Sequence, residues 1–271
     1  MYYNYFIPTI HLGPISGSKF IQNLPMDNIR EAIVGKNAIL EIRRNIFKDG
    51  NLLYTAKDIL KLDNNNWQDS KGHKFIWDSN YKKDENCYIE TQINMISGHG
   101  FISPSLPGFY VWYINSKNKN FISCGNDKYG NPRVIMQMEK FGLWIDGYPA
   151  VNINKKNDIT YSVIIINPYD LKGKFHLEIN ELKIKKTYLV NPRSVIRIAL
   201  EKIINVDNWT GQVYITGKQR GILYFMNHSL INSQKINTLE HSDPFRAELT
   251  FKPRFMNLRD LAHKKLKKIL L

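Results

Sequence analysis

Apolar and polar residues alternate with a period of two along much of this 271-residue chain, the spacing that sends successive side chains to opposite faces of a β-strand. The clearest stretch runs from Thr160 to Leu200. Val163 and Ile165 share one face of its first run with Asn167, while Ile164 and Ile166 share the other, so both faces are apolar and a central strand is predicted. Asn167-Pro168-Tyr169-Asp170 ends this run, because proline has no N–H for the ladder and biases its predecessor toward extended backbone. Gly173 allows the return. Phe175, Leu177 and Ile179 then alternate with Lys174, His176, Glu178 and Asn180, the pattern of one buried and one wet face. After a second Asn191-Pro192, Val195, Arg197 and Ala199 interleave with Ser194, Ile196, Ile198 and Leu200, which fixes the register.

Shorter runs of the same kind occur at Ala38–Phe47, Asn51–Thr55, Lys74–Trp77, Cys87–Met95, Phe109–Ile114, Asn120–Cys124, Arg133–Met138 and Leu143–Ile145. Lys48-Asp49-Gly50-Asn51 has hairpin-turn chemistry, Asp63 to Asn66 is a polar loop, and Asp146-Gly147-Tyr148-Pro149 resembles a tight reversal. Gly211–Thr216 and Gly221–Met226 are expected to pair as a hairpin about Gly217 to Arg220. Together these runs predict an all-β fold, an antiparallel β-sandwich of jelly-roll or Ig-like kind, either one large sandwich or two consecutive ones. Two segments read as helix. Met26–Val34 is a brief one. At the end of the chain, Leu258, Leu261, Ala262, Leu266, Ile269 and Leu270 fall near one side of a helix and Lys264, Lys265, Lys267 and Lys268 largely on the other. Such a basic amphipathic helix suits an anionic membrane surface, a partner groove or its own domain.

The polar stretch Asn152–Asp158 suggests a boundary, giving a β-rich domain over 1–151, a β-sandwich over 152–257 and the helix over 258–271. The alternative is a single β domain over 1–257 in which that stretch is a hairpin loop. No internal repeat marks a propeller or solenoid. Lys and Arg number 38 against 24 Asp and Glu, a net charge of +14 that favours anionic partners, although abundant Lys, Asn and Ile also follow from composition alone. Cys87 and Cys124 lack metal-ligand spacing, leaving at most one disulfide. The first residues lack a signal peptide's basic, apolar and small-residue regions, and no apolar run reaches the roughly 20 residues of a membrane span, so a cytoplasmic protein is expected.

Candidate chemistry gathers in three places. Glu240-His241-Ser242-Asp243-Pro244-Phe245-Arg246 sets imidazole, carboxylate and guanidinium at one turn: His241, Asp243 and Arg246 are candidate catalytic groups, and His228, Glu240, His241 and Asp243 candidate metal ligands. The plainer reading has Asp243 capping the turn and pairing with Arg246. His99, between glycines in Ser97-Gly98-His99-Gly100-Phe101, is a further catalytic candidate on an expected loop. No nucleophile elbow, phosphate-cradling glycine motif or HExxH helix accompanies these groups, no cofactor is implied, and no specific nucleic-acid motif is present. The aromatic set is the third place: Trp112 in its strand, with Trp144, Asp146 and Tyr148 near a strand end, suits ring-on-sugar recognition, although most aromatics in a sandwich fill the core. Three functions are compatible with these residues. The first is a noncatalytic protein binding a glycan or other anionic polymer or surface. A carbohydrate-active hydrolase or lyase using His241 and Asp243 is the second, and a structural or assembly protein tethered to membrane or protein by residues 258–271 the third.

Overall fold

A computed structural model of the chain describes residues 9–15, 18–23, 33–63, 66–68, 74–78, 86–100, 110–115, 119–125, 144–217, 221–232 and 235–241. The fold is all-β, with four antiparallel sheets. The chain divides into two compact units, Met1–Pro132 with Arg193–Val195, and Arg133–Pro192 with Ile196–Leu271.

In the first unit the strands are β1 (Thr9–Leu12), β2 (Ser18–Asn23), β3 (Ile33–Lys48), β4 (Asn51–Asp63), β5 (Asn66–Gln68), β6 (Lys74–Asp78), β7 (Cys87–Gly100), β8 (Tyr110–Asn115) and β9 (Phe121–Gly125). One sheet has the order β1-β7-β3-β4-β5 and the other β6-β2-β8-β9. Asp49 and Gly50, both with positive φ, close the β3–β4 hairpin at the turn that the sequence predicts. Phe20 from β2 is fully buried among Phe75, Trp77 and Tyr113, and the Tyr113 hydroxyl donates to the Leu12 carbonyl of the facing sheet at 2.5 Å. The two sheets therefore pack face to face.

The second unit contains β10 (Trp144–Asn154), β11 (Thr160–Asn167), β12 (Gly173–Ile179), β13 (Ile184–Val190), β14 (Ser194–Ala199), β15 (Asn208–Gly217), β16 (Ile222–His228) and β17 (Ile236–His241). Their orders are β10-β15-β12-β13 and β14-β11-β16-β17. Val151, Ile153, Phe175, Leu177, Val213 and Ile215 from one sheet meet Tyr161, Val163, Ile165, Ile198, Leu223 and Phe225 from the other in one buried core. β11 is buried along its whole length between β14 and β16, as its doubly apolar pattern predicts. The Asn-Pro turn after it has a specific anchor. Asn167 is fully buried, and its Nδ2 donates to the carbonyls of Leu171 at 2.8 Å, Val190 at 3.1 Å and Asn191 at 3.0 Å. One amide thus joins the two turns that the Asn-Pro dipeptides mark.

Several sequence expectations are corrected. Ile33 and Val34, read as the end of a helix, begin β3, and residues 26–32 lie outside the described set. Ser97–Gly100 is no loop but the end of β7; Gly98, at φ +100, lies where an added Cβ would come within 2.9 Å of Ala38 Cβ, so glycine here permits a close irregular pairing rather than a turn. Asp146–Pro149 does not reverse the chain. β10 runs through it with a register shift between Tyr148 and Val151, and Pro149 is accommodated because β10 is an edge strand. β15 and β16 do not pair with each other: Val213 and Ile215 face the core from one sheet and Leu223 and Phe225 from the other, so the chain crosses between layers. Residues 152–158 complete β10 and a 3-10 turn, and Asn154 bridges to Ile159. The strand expected at Arg133–Met138 and the helix expected at 258–271 lie outside the described residues.

Candidate functional site

The rim of the second sandwich brings together two residues singled out from the sequence. Tyr148 stacks on Phe225, with ring centroids 4.9 Å apart, and its hydroxyl donates to the Glu240 carboxylate. β10 and β17 are edge strands of the two facing sheets, so this contact ties the layers at their open side. Burial first, and then the Glu240 carboxylate, push the Tyr148 pKa well above the ordinary phenol value. The hydroxyl therefore stays protonated and serves as a donor.

Other candidates stand on different strands. Trp144 and Asp146 stand on β10 opposite Gly217 and Ile215, His99 stands on β7 opposite Val34, and His241 stands on β17 opposite Tyr224. Asp243, Arg246, Lys264, Lys265, Lys267 and Lys268 lie outside the described residues. His228 pairs with Ile236 at the far end of the β16–β17 ladder from His241. Four residue steps along β16 take Tyr224 to His228, about 13 Å of rise. Glu240 pairs with core-facing Phe225, so it stands on the core side of its sheet. Among the described residues no group of three or more metal-ligating side chains converges.

His228 belongs instead to a buried polar seam that the sequence does not announce. Its Nδ1 lies 2.8 Å from the Ser229 carbonyl oxygen, which can only accept, so Nδ1 carries the proton and Nε2 is left as an acceptor. Ser162 Oγ lies 2.8 Å from Nε2 and donates to it, while Arg197 donates through Nε to Ser162 Oγ at 3.1 Å and through Nη2 to His228 Nε2 at 3.2 Å. Ser229 Oγ in turn donates to Asp158 at 2.5 Å. A hydroxyl aimed at a neutral imidazole is the arrangement of a nucleophile and its base. Ser162 is fully buried, however, and its other lone pair accepts from Arg197, so in this conformation the pair closes a hydrogen-bond network.

The seam sets a pH dependence. Burial lowers the His228 pKa, with Arg197 adding to the shift and the Ser229 carbonyl, Glu201 and Asp158 opposing it. A lowered folded-state value means that the unfolded chain takes up its proton first as pH falls; stability is complete above the ordinary histidine range and is lost below it. Between about pH 7.5 and about pH 5.5 the wild-type chain is therefore expected to lose up to about 1 kcal/mol more than H228Q does. Chemical denaturation of both at the two pH values measures the difference.

The first unit also carries a buried charge. Arg44 on β3 is fully buried; its Nη1 meets Asp58 Oδ2 at 2.6 Å, its Nε donates to Gln22 Oε1 at 2.8 Å, and its guanidinium lies 5.1 Å from the Phe75 ring centroid. Gln22 Nε2 passes the chain of contacts on to Thr91 Oγ1 at 2.9 Å. Burial pulls the Arg44 pKa down and Asp58 opposes that shift. Trp112 lies on the outer face of the second sheet of this unit, half-buried and paired with Ile21, while Val111 and Tyr113 point into the core as alternation predicts.

Among the described residues, exposed lysines gather at the β12–β13 hairpin. Lys174, Lys183, Lys185 and Lys186 are exposed on it and Lys172 just before it, against Glu178 and Glu181 on the hairpin and Asp170 beside Lys172. Glu178 is almost fully buried and is engaged by Lys185 Nζ at 2.9 Å. His176 lies beside them, its Nδ1 2.9 Å from Thr187 Oγ1, and its pKa is lowered first by burial and then by Lys185 and Lys174. Neighbouring positive charge that disfavours one more proton would favour an arriving anion for the same reason. No protein-family model matches the chain, and no curated protein matches it.

Proposed function

We propose that this chain is a noncatalytic β-sandwich protein that binds an acidic glycan or another anionic surface. The observation behind this reading is the cationic β12–β13 hairpin, which carries four exposed lysines with Lys172 just before it and whose Glu178 is already taken up by Lys185. Compact ammonium groups on flexible stems bind sulfate, carboxylate or phosphate as point charges without demanding one sequence or one sugar. Trp112, on an outer sheet face, supplies an apolar ring of the kind that stacks on sugar C–H groups. For the second unit the Ig-like form of the sandwich has more support than the jelly-roll. β13-β12-β15 and β14-β11 repeat the C′-C-F and E-B adjacencies of that fold, although β10 beside β15 and β16 beside β11 depart from it.

Titration with a sulfated polysaccharide over a range of salt concentrations tests the proposal. The K172Q/K174Q/K186Q variant leaves the Lys185–Glu178 pair intact. Removing three contacts is expected to reduce the slope of log affinity against log salt by about 2 and to weaken binding at least about tenfold near physiological salt. An unchanged slope would place the anion elsewhere, and no binding by the wild-type chain at low salt would end the proposal.

A further inference from the structure

Edges of the two units are treated differently. The outer edge of β13 is guarded by Lys185 and Lys186, charges that discourage another strand from adding to it. In the open part of β4, Lys57 and Asp58 are flanked on either side by exposed apolar residues. β5 pairs only with its last three residues, Lys61 to Asp63, so among the described residues the edge from Asn51 to Leu60 has no strand beside it. Leu52, Leu53, Tyr54 and Ile59 are each about half exposed along it. A row of open backbone groups flanked by apolar side chains is a template for strand addition.

We propose that β4 pairs antiparallel with β4 of a second copy of this chain, joining two first units through one continuous sheet. Symmetry restricts the register. A twofold axis perpendicular to the sheet keeps each copy's core face on the same side, so paired residue numbers must sum to an even value. A sum of 114 sets Lys57 against Lys57 of the second copy, and 116 sets Asp58 against Asp58, both like-charge pairs. A sum of 110 sets exposed Leu53 against Lys57 and leaves Ile59 opposite Asn51. A sum of 112 places Ala56 against Ala56 on the axis, Thr55 against Lys57, Tyr54 against Asp58 and Leu53 against Ile59. Of these four, only the last both avoids like charges and sets two of the exposed apolar residues, Leu53 and Ile59, against each other. The bulge that shifts the β3–β4 register at Leu53 adds local twist at the outer end of the ladder, leaving Tyr54 to Asp58 as its straight centre.

Sedimentation equilibrium of the full-length chain at about 100 μM tests this pairing, with far-UV circular dichroism and thermal melting verifying that each variant folds. The wild-type chain is expected to be a dimer. L53K and I59D, each altering an exposed position, are each expected to weaken the dimer at least about tenfold. Combined, L53K/I59D sets opposite charges across both copies of the 53–59 pair and is expected to restore association, with the restored dimer sensitive to salt. A monomeric wild-type chain, or a dimer indifferent to both single changes, would overturn the proposal. A double variant no tighter than the single ones would overturn the register.

Discussion

Asp58→Ala is expected to destabilise the first unit by about 3–5 kcal/mol, far beyond the roughly 0.5 kcal/mol typical of a surface position. Asp58 looks like a surface residue, with its side chain 38% exposed, but it is the carboxylate partner of an Arg44 side chain that is 0% exposed. Removing it takes away the carboxylate that meets the buried guanidinium at 2.6 Å, while the neutral contacts to Gln22 and the Phe75 ring stay. Arg44→Met tests the same pair from the other side and is expected to cost less, about 1–3 kcal/mol. There the remaining carboxylate can turn to water, and the thioether refills the space against Phe75. The order is the informative result, because the more exposed residue is the more damaging one to remove. Equilibrium urea unfolding of both variants gives it. Equal costs would mean that Arg44 is held by packing rather than by its charge partner.

Asn167→Asp is expected to cost more than about 3 kcal/mol, and more than Asn167→Ala, although aspartate is nearly isosteric with asparagine. Nδ2 faces three backbone carbonyls, all acceptors, at 2.8–3.1 Å. A carboxylate oxygen in its place would present a buried acceptor and a charge to those carbonyls. Protonation would relieve only one of the three contacts, so the deficit is expected to shrink at low pH without vanishing. Alanine removes the donor and leaves the carbonyls to relax or to find water. Thermal melts of the two variants at neutral and acid pH decide the order. A benign Asn167→Asp would mean that the amide is not what fastens the two turns.

These two sites show where the sequence is legible. Period-two hydrophobicity correctly marks which face each residue takes. β11 is buried throughout, Val111 and Tyr113 face inward opposite Trp112, and Phe175, Leu177 and Ile179 line the core. It does not identify partners. Ser162 and His228 are 66 residues apart and Gln22 and Arg44 are 22 apart, so their contacts depend on strand order, which no local pattern encodes. Glycine and proline misled in specific ways. Gly98 and Pro149 read as turns, yet Gly98 permits a close approach to Ala38 within a strand and Pro149 sits on an edge strand where a missing N–H costs little. Polar alternation also overstated wetness, since Glu178 takes the polar face of β12 yet is buried beside Lys185. Of the candidate site, the Tyr148–Glu240 contact joins two residues that the sequence picked out separately, whereas the lysine-rich hairpin drew notice only through net charge.

Amide hydrogen exchange of the full-length chain, with and without a sulfated polysaccharide, tests the binding proposal most directly. New protection is expected in residues 172–189, at the lysines of the β12–β13 hairpin, and is expected to fade as salt is raised. Protection confined to residues 258–271, with the hairpin unchanged, would contradict the account and assign anion binding to the basic end of the chain.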